Sequence, residues 1–214
     1  MFTRVRNYYR NRVYSHRARW TLRRMLPFLK QTDKVLDVGA GDCRLCELIR
    51  RRVGCEVAAV DVEDFNVTSI PLTIFDGTTL PFDDDSFDVV LLVFVLHHAK
   101  DARAVLKEAQ RVARRYVIVF EDINQTKWDR IAFRGFHVWL EWSQRIPKPH
   151  HELSPDDWSK LARELGFREH YREPVGRQLS IFASRHIAFV WEKQAAPRAT
   201  DTVAPESSTA AGPL

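Results

Sequence analysis

Residues Val35 to Leu48 read VLDVGAGDCRLCEL, and the fold turns on this stretch. An apolar run meets an acid, then Gly-x-Gly, then Asp-Cys-Arg. The run predicts a strand over Lys34–Val38, and Cys43–Val53 reads as a helix, so the glycines fill a strand-to-helix turn. A dinucleotide loop needs G-x-G-x-x-G, but after Gly39 and Gly41 the third position is Arg44. The G-x-x-x-x-G-K-[ST] pattern of a phosphate-cradling loop is missing as well. The acid is the sharper signal. Asp37 ends the strand beside the turn, where a carboxylate repels a pyrophosphate and suits a cation.

Outward from this turn, apolar strands alternate with amphipathic helices. Strands are expected at Glu56–Val60, Leu72–Phe75, Asp88–Leu96 and Tyr116–Phe120. The Asp88–Leu96 run is continuously apolar, as in parallel strands covered on both faces. Ala102–Arg114 reads as a helix with Ala102, Val105, Leu106, Ala109 and Val112 on one side. A second late helix starts at Ser154, a good N-cap followed by Pro155 and two acids, and stops at Gly166. Closing strands are expected near Phe167–Arg172 and Ser180–Glu192. The alternation argues an α/β fold.

Three strand ends carry acids in order: Asp37, then Asp61 in AAVDVED, then Asp76-Gly77 in LTIFDG. An acid about twenty residues past the glycines can accept from both ribose hydroxyls. Asp76 can accept from an adenine amine. S-adenosylmethionine has a sulfonium and an ammonium and no phosphate, so it fits this set. The segments VLDVGAGDCRL, AAVDVED, FDGTTLPFDDDSFDVVLLVFVLHHAKD and YVIVFED resemble the class I S-adenosylmethionine-dependent methyltransferases, in particular the ubiquinone/menaquinone C-methyltransferase-like group. The likeness covers residues 33–123 well and 154–192 more loosely.

The resemblance implies a Rossmann-like, seven-stranded, mostly parallel sheet with helices on both faces and an antiparallel strand near the C-terminus. It implies that Asp37, Gly39, Ala40 and Gly41 line the methionine end, that Asp61 and Val62 meet the ribose side, and that Asp76 and Gly77 meet adenine. Phe94, at the end of the fourth strand, then approaches the methionine moiety. Many members have a third glycine where Cys43 stands, a position expected to tolerate a short side chain. The usual Gly-Gly turn before the fifth strand is replaced by RVARRYVIVFE.

The expected reaction is in-line methyl displacement onto a small apolar or aromatic metabolite, leaving S-adenosylhomocysteine. His97 and His98 follow the fourth strand and are the candidate bases. His150 and His151 are weaker candidates for substrate contact. No metal is expected: Glu121, Asp122 and Asn124 read as a solvated strand end, and Cys43-x-x-Cys46 has no second cysteine pair to complete a zinc site.

The charge is lopsided. Residues 1–30 hold nine basic side chains and no acid, whereas the rest of the chain sums to −4. Leu22, Met25, Leu26 and Leu29 predict an amphipathic helix over residues 15–29. The expected organisation is a basic helical segment or lid at 1–30, a catalytic domain at 31–194 with a substrate-side insertion at 122–153 (rich in Trp and Phe), and a disordered tail at 195–214. The basic segment admits a solvated face, an anionic membrane surface or nucleic acid as its partner. Two alternative functions follow: a nucleic-acid methyltransferase, or a non-catalytic S-adenosylmethionine-binding domain. Against the first, no N-P-P-Y-type or Pro-Cys motif occurs. Three cysteines form no disulfide framework and no apolar segment resembles a signal peptide, so a cytoplasmic protein is expected.

Overall fold

The computed structural model describes residues 2–123, 153–177 and 185–194, with the side chains of residues 2–13 and 176–177 excepted. In chain order the elements are α1 (Phe2–Met25), β1 (Lys34–Val38), α2 (Arg44–Val53), β2 (Glu56–Asp61), β3 (Leu72–Ile74), β4 (Phe87–Val93), α3 (Ala102–Val112), β5 (Ala113–Ile123), α4 (Pro155–Glu164), β6 (Phe167–Arg177) and β7 (Arg185–Lys193). They build a seven-stranded sheet in the order β3-β2-β1-β4-β5-β7-β6. The first five strands pair in parallel. β7 runs antiparallel to both neighbours. The expected fold class is therefore the observed one.

The central strands are mostly apolar because both faces are covered, whereas the edge strands β3 and β6 are largely exposed. Leu36, Val38, Val90, Leu92, Val117 and Val119 face one way, onto α3 and α4. Val35, Val89, Leu91, Ile118 and Phe120 face the other way and join Leu22, Met25, Leu45 and Ile49 of α1 and α2. The period-2 alternation of a strand sends neighbours in one run into two separate cores.

Helix boundaries follow local chemistry. Asp101 caps α3 by accepting from Ala104 N at 3.0 Å. Ser154 and Asp157 close a capping box on α4: Ser154 Oγ accepts from Asp157 N, and Asp157 Oδ2 accepts from Ser154 N, both at 3.2 Å. Gly166, at φ +83°, follows the helix as expected.

Several expectations shift. α1 starts far upstream of residue 15, and a short 3-10 turn over Leu26–Phe28 ends it. β4 stops at Val93 instead of Leu96, because Phe94 turns to φ +60°. α2 begins at Arg44, and Cys43 is its N-cap at φ +58°. The Cys43 position thus demands a left-handed backbone as well as a small side chain, which is the conformation a glycine there would supply at lower cost. α3 passes into β5 without a turn, since Ala113 is already extended.

Of the expected insertion at 122–153, residues 124–152, with their aromatics, Asn124, His150 and His151, lie outside the described residues, as does the expected tail from 195. Among the described residues no helix is long and apolar enough to cross a membrane.

Candidate functional site

The sheet order reverses between β1 and β4, the place where open α/β sheets bind ligands, at the carboxyl ends of the strands. The glycine turn forms one wall. Gly39 N and Ala40 N both donate to Val60 O, at 2.8 and 3.1 Å, and so tie the turn to β2. A Cβ on Gly39 would lie 2.5 Å from Val95 Cγ2, so the turn is pressed against the exit of β4. A Cβ on Gly41 would meet nothing within 4 Å. That open side is where a ligand can approach the backbone.

Two acids sit behind this turn. Asp61 is buried at the end of β2, its Oδ2 accepting from Gly41 N and its Oδ1 from Val62 N, each at 2.7 Å. Burial raises its pKa, against the pull of those amides. Asp37 is buried too, and its Oδ2 accepts from Cys46 Sγ at 3.0 Å. Burial, opposed by that thiol and reinforced by Asp61 and Asp42, pushes Asp37 up to about 7. Its Oδ1 is buried and has no hydrogen-bond partner among the described residues.

Asp76 is placed differently. It is exposed, and its Oδ1 accepts from Thr78 N and Thr79 N at 2.8 Å, which holds its pKa below the usual carboxylate value. Gly77, at φ +80°, stands beside Val62: a Cβ there would approach Val62 Cγ1 to 3.1 Å. Val62, Phe65 and Ile74 leave large apolar surfaces exposed near this end of β2 and β3.

The opposite wall is built around Phe94. Its left-handed φ is uncommon for an aromatic residue, and such strain concentrates at functional sites. The ring is buried, with Arg17 Cζ of α1 3.8 Å from its centroid and the His186 ring 5.0 Å away. Trp20, also on α1, packs edge-on against His186 and Phe120.

Below Phe94 runs a buried acid–base network. Glu121 is wholly buried, its Oε1 accepting from Leu96 N at 2.8 Å and its Oε2 lying 2.5 Å from His97 Nδ1. His97 Nε2 faces Asp122 Oδ2 at 3.9 Å, and Asp122 Oδ1 lies 2.6 Å from His186 Nδ1, a close contact without hydrogen-bond alignment. Burial pulls the His97 pKa down, but the Glu121 and Asp122 carboxylates outweigh it and raise it. Burial pushes Asp122 up, and the His186 contact with the charges of His97 and Arg17 brings it below its ordinary value. The expected solvated strand end at Glu121 and Asp122 is thus corrected: both carboxylates are engaged inside the protein. His98 is partly buried, its ring 4.1 Å from that of His97.

The sequence reading missed Arg17, Glu121 and His186 as a group. Arg17 is one of nine similar basic residues, and His186 lies over sixty residues from its partner Asp122. The available signal was weak: a histidine in an otherwise apolar strand, and acids at the end of another. Among the described residues no group of three or more His, Cys, Asp or Glu side chains converges as a metal site.

Residues 36–120 match the family model described as "Methyltransferase domain". The chain is 33% identical over 114 residues to the demethylmenaquinone methyltransferase of Corynebacterium efficiens, covering 51% of this chain and 47% of that protein. It is 27% identical over 176 residues to sterol methyltransferase-like 3 of Botryococcus braunii, covering 75% of this chain and 43% of that one. It spans about half the length of these curated relatives. Among solved structures, a chain in the complex between the Trm112 methyltransferase activator and a methyltransferase from Haloferax volcanii superposes with a TM-score of 0.68 at 16% identity, covering 87% of this chain and 94% of that one. The sheet order, the glycine turn and these matches together support a likeness to the class I S-adenosylmethionine-dependent methyltransferases, carried by the methyltransferase-domain match over residues 36–120.

Proposed function

We propose that this protein binds S-adenosylmethionine in the crevice between β1 and β4 and moves its methyl group to a small apolar or aromatic metabolite. One observation carries the reading most. Asp37 and Asp61 stand behind a glycine turn whose open side is at Gly41, and Asp37 keeps a buried oxygen without a partner. A cationic, phosphate-free cofactor fits that donor set, and an anionic dinucleotide does not. When bound, the cofactor supplies a methyl group on a sulfonium, an electrophile strong enough that alignment and exclusion of water can do most of the catalysis.

The protein's own residues divide this work. Asp61 would hold the ribose hydroxyls, and the Gly41 amide it now accepts from would keep it aimed. Asp37 and the turn Gly39-Ala40-Gly41 would hold the methionine end. Val62 would lie against the ribose or the adenine. Gly77 would bring its backbone to adenine, and the free oxygen of Asp76 would remain for the amine. Phe94 would face the methyl donor.

His97 is fixed by Glu121, so it suits a positioning role. His98, beside it on the same loop, is the better candidate to take a proton from the acceptor. The apolar acceptor class is supported by the aromatic wall of Phe94 and Trp20 and by relatives named for menaquinone and sterol chemistry. Within the basic segment at 1–30, Arg17 lies over Phe94 and Arg24 over Trp20, so these two cations do not extend a phosphate-binding face.

Labelled S-adenosylmethionine incubated with the full chain and either a lipid and metabolite extract or total RNA tests the acceptor class. Label in the organic extract, with none in RNA, is the expected result. Label in RNA that disappears on deleting residues 1–13 would overturn the small-molecule reading, and label in neither fraction would favour a binding domain without turnover.

A further inference from the structure

We propose that His186, held by Asp122, binds the methyl acceptor: its Nε2 takes a hydrogen bond from the hydroxyl of a phenolic ring packed against Phe94 and Trp20. The inference rests on the aromatic-acceptor reading above and narrows it to a ring with a free hydroxyl. This is a binding role, separate from the proton transfer assigned to His98.

The sheet builds the pair. β5 and β7 run antiparallel, and Asp122, near the carboxyl end of β5, stands opposite His186 in the register. Residues directly opposite each other share one face of a sheet. Ala188 and Val190, two and four residues further along β7, join the core that α1 covers, so His186 lies on the α1 face. Its ring stands edge-on to Phe94 and to Trp20, with centroids 5.0 and 5.8 Å apart.

Asp122 decides which nitrogen carries the proton. Its Oδ1 lies 2.6 Å from His186 Nδ1, too close for two lone pairs to face each other. Burial pushes the Asp122 pKa up, but the His186 contact and the charges of His97 and Arg17 bring it below its ordinary value, so the carboxyl group is ionised. The proton between them is therefore on Nδ1, and the neutral ring keeps a lone pair on Nε2. Nδ1 is buried, while 11% of the side chain is exposed, so the open edge is the one away from Asp122, where Nε2 lies. Among the described residues Nε2 has no hydrogen-bonding partner. A lone pair held between two aromatic rings costs free energy when unpaired, and a hydroxyl donor recovers it. An ether or a ketone has no proton to give.

The test is equilibrium dialysis of 2-naphthol and of its methyl ether, 2-methoxynaphthalene, against the full chain with S-adenosylhomocysteine present. The wild type should bind the naphthol about tenfold more tightly than the ether, since only the naphthol can pair Nε2. His186→Phe, which keeps an aromatic ring without the acceptor, should lose that preference and keep its affinity for the ether. Asp122→Asn no longer forces the proton onto Nδ1. It should lose part of the preference with its ether affinity unchanged, and it serves equally if the phenylalanine variant does not fold. A wild type that binds both probes equally would overturn the proposal. So would variants weakened for both probes in the same proportion, the signature of a merely structural pair. A wild type that binds neither probe would instead overturn the aromatic-acceptor reading on which the inference stands.

Discussion

Asp37 is the residue at which burial and charge conflict most. Its folded pKa is raised to about 7, well above the ordinary carboxylate value. The folded state therefore holds a proton that the unfolded chain releases near pH 4, so stability falls as pH rises from about 4 towards 7. Asp37→Asn should flatten that slope in urea unfolding measured across the range. A cationic ligand beside Asp37 would favour its ionised form. Binding near pH 7 should then release a fraction of a proton, read as a dependence of the calorimetric heat on buffer ionisation enthalpy. His97 has the same sign for a different reason. Burial lowers its pKa, but Glu121 outweighs that and raises it, so its contribution is present below about pH 6.5 and is lost as pH rises through the folded value. His97→Asn should remove that portion of the pH dependence.

At the scale of the element, α1 behaves as part of the core. Met25 is fully buried, and Leu22 and Ala18 lie on the same side, packed with α2 and the sheet. Met25→Ala should cost about 2–5 kcal/mol in chemical denaturation. A change under about 0.5 kcal/mol would mean that the helix is only loosely laid on the domain. The α4 cap makes a smaller claim: Ser154→Ala should cost about 1 kcal/mol.

The central elements were legible in the sequence because their chemistry is local. Lys34–Val38, the Ser154 cap and the Gly166 stop all depend on neighbours within a few residues. The end of β4 was not legible, since nothing in FVLHH announces that Phe94 turns left-handed. Its conformation is held by tertiary contacts, with Phe94 N donating to Phe120 O at 2.8 Å and Arg17 lying over the ring. The network of Glu121, His97, Asp122 and His186 was hidden for the same reason. β7 enters the sheet between β5 and β6, and only that topology sets His186 opposite Asp122.

For the whole molecule, the arrangement places acids and a glycine turn on one side of the site and an aromatic wall that carries Arg17 and Arg24 on the other. This polarity matches a zwitterionic, cationic cofactor beside an apolar acceptor. It also explains why the basic N-terminus is not simply a solvated face: part of it turns inward, towards the site.

The cofactor site is tested most directly by calorimetric titration of the wild type and Asp61→Ala with S-adenosylmethionine. Saturable binding to the wild type is expected, weakened at least about tenfold in the variant, which loses the Gly41 anchor and the proposed ribose contact. Equal affinity in the two proteins, or no binding to the wild type, would contradict it.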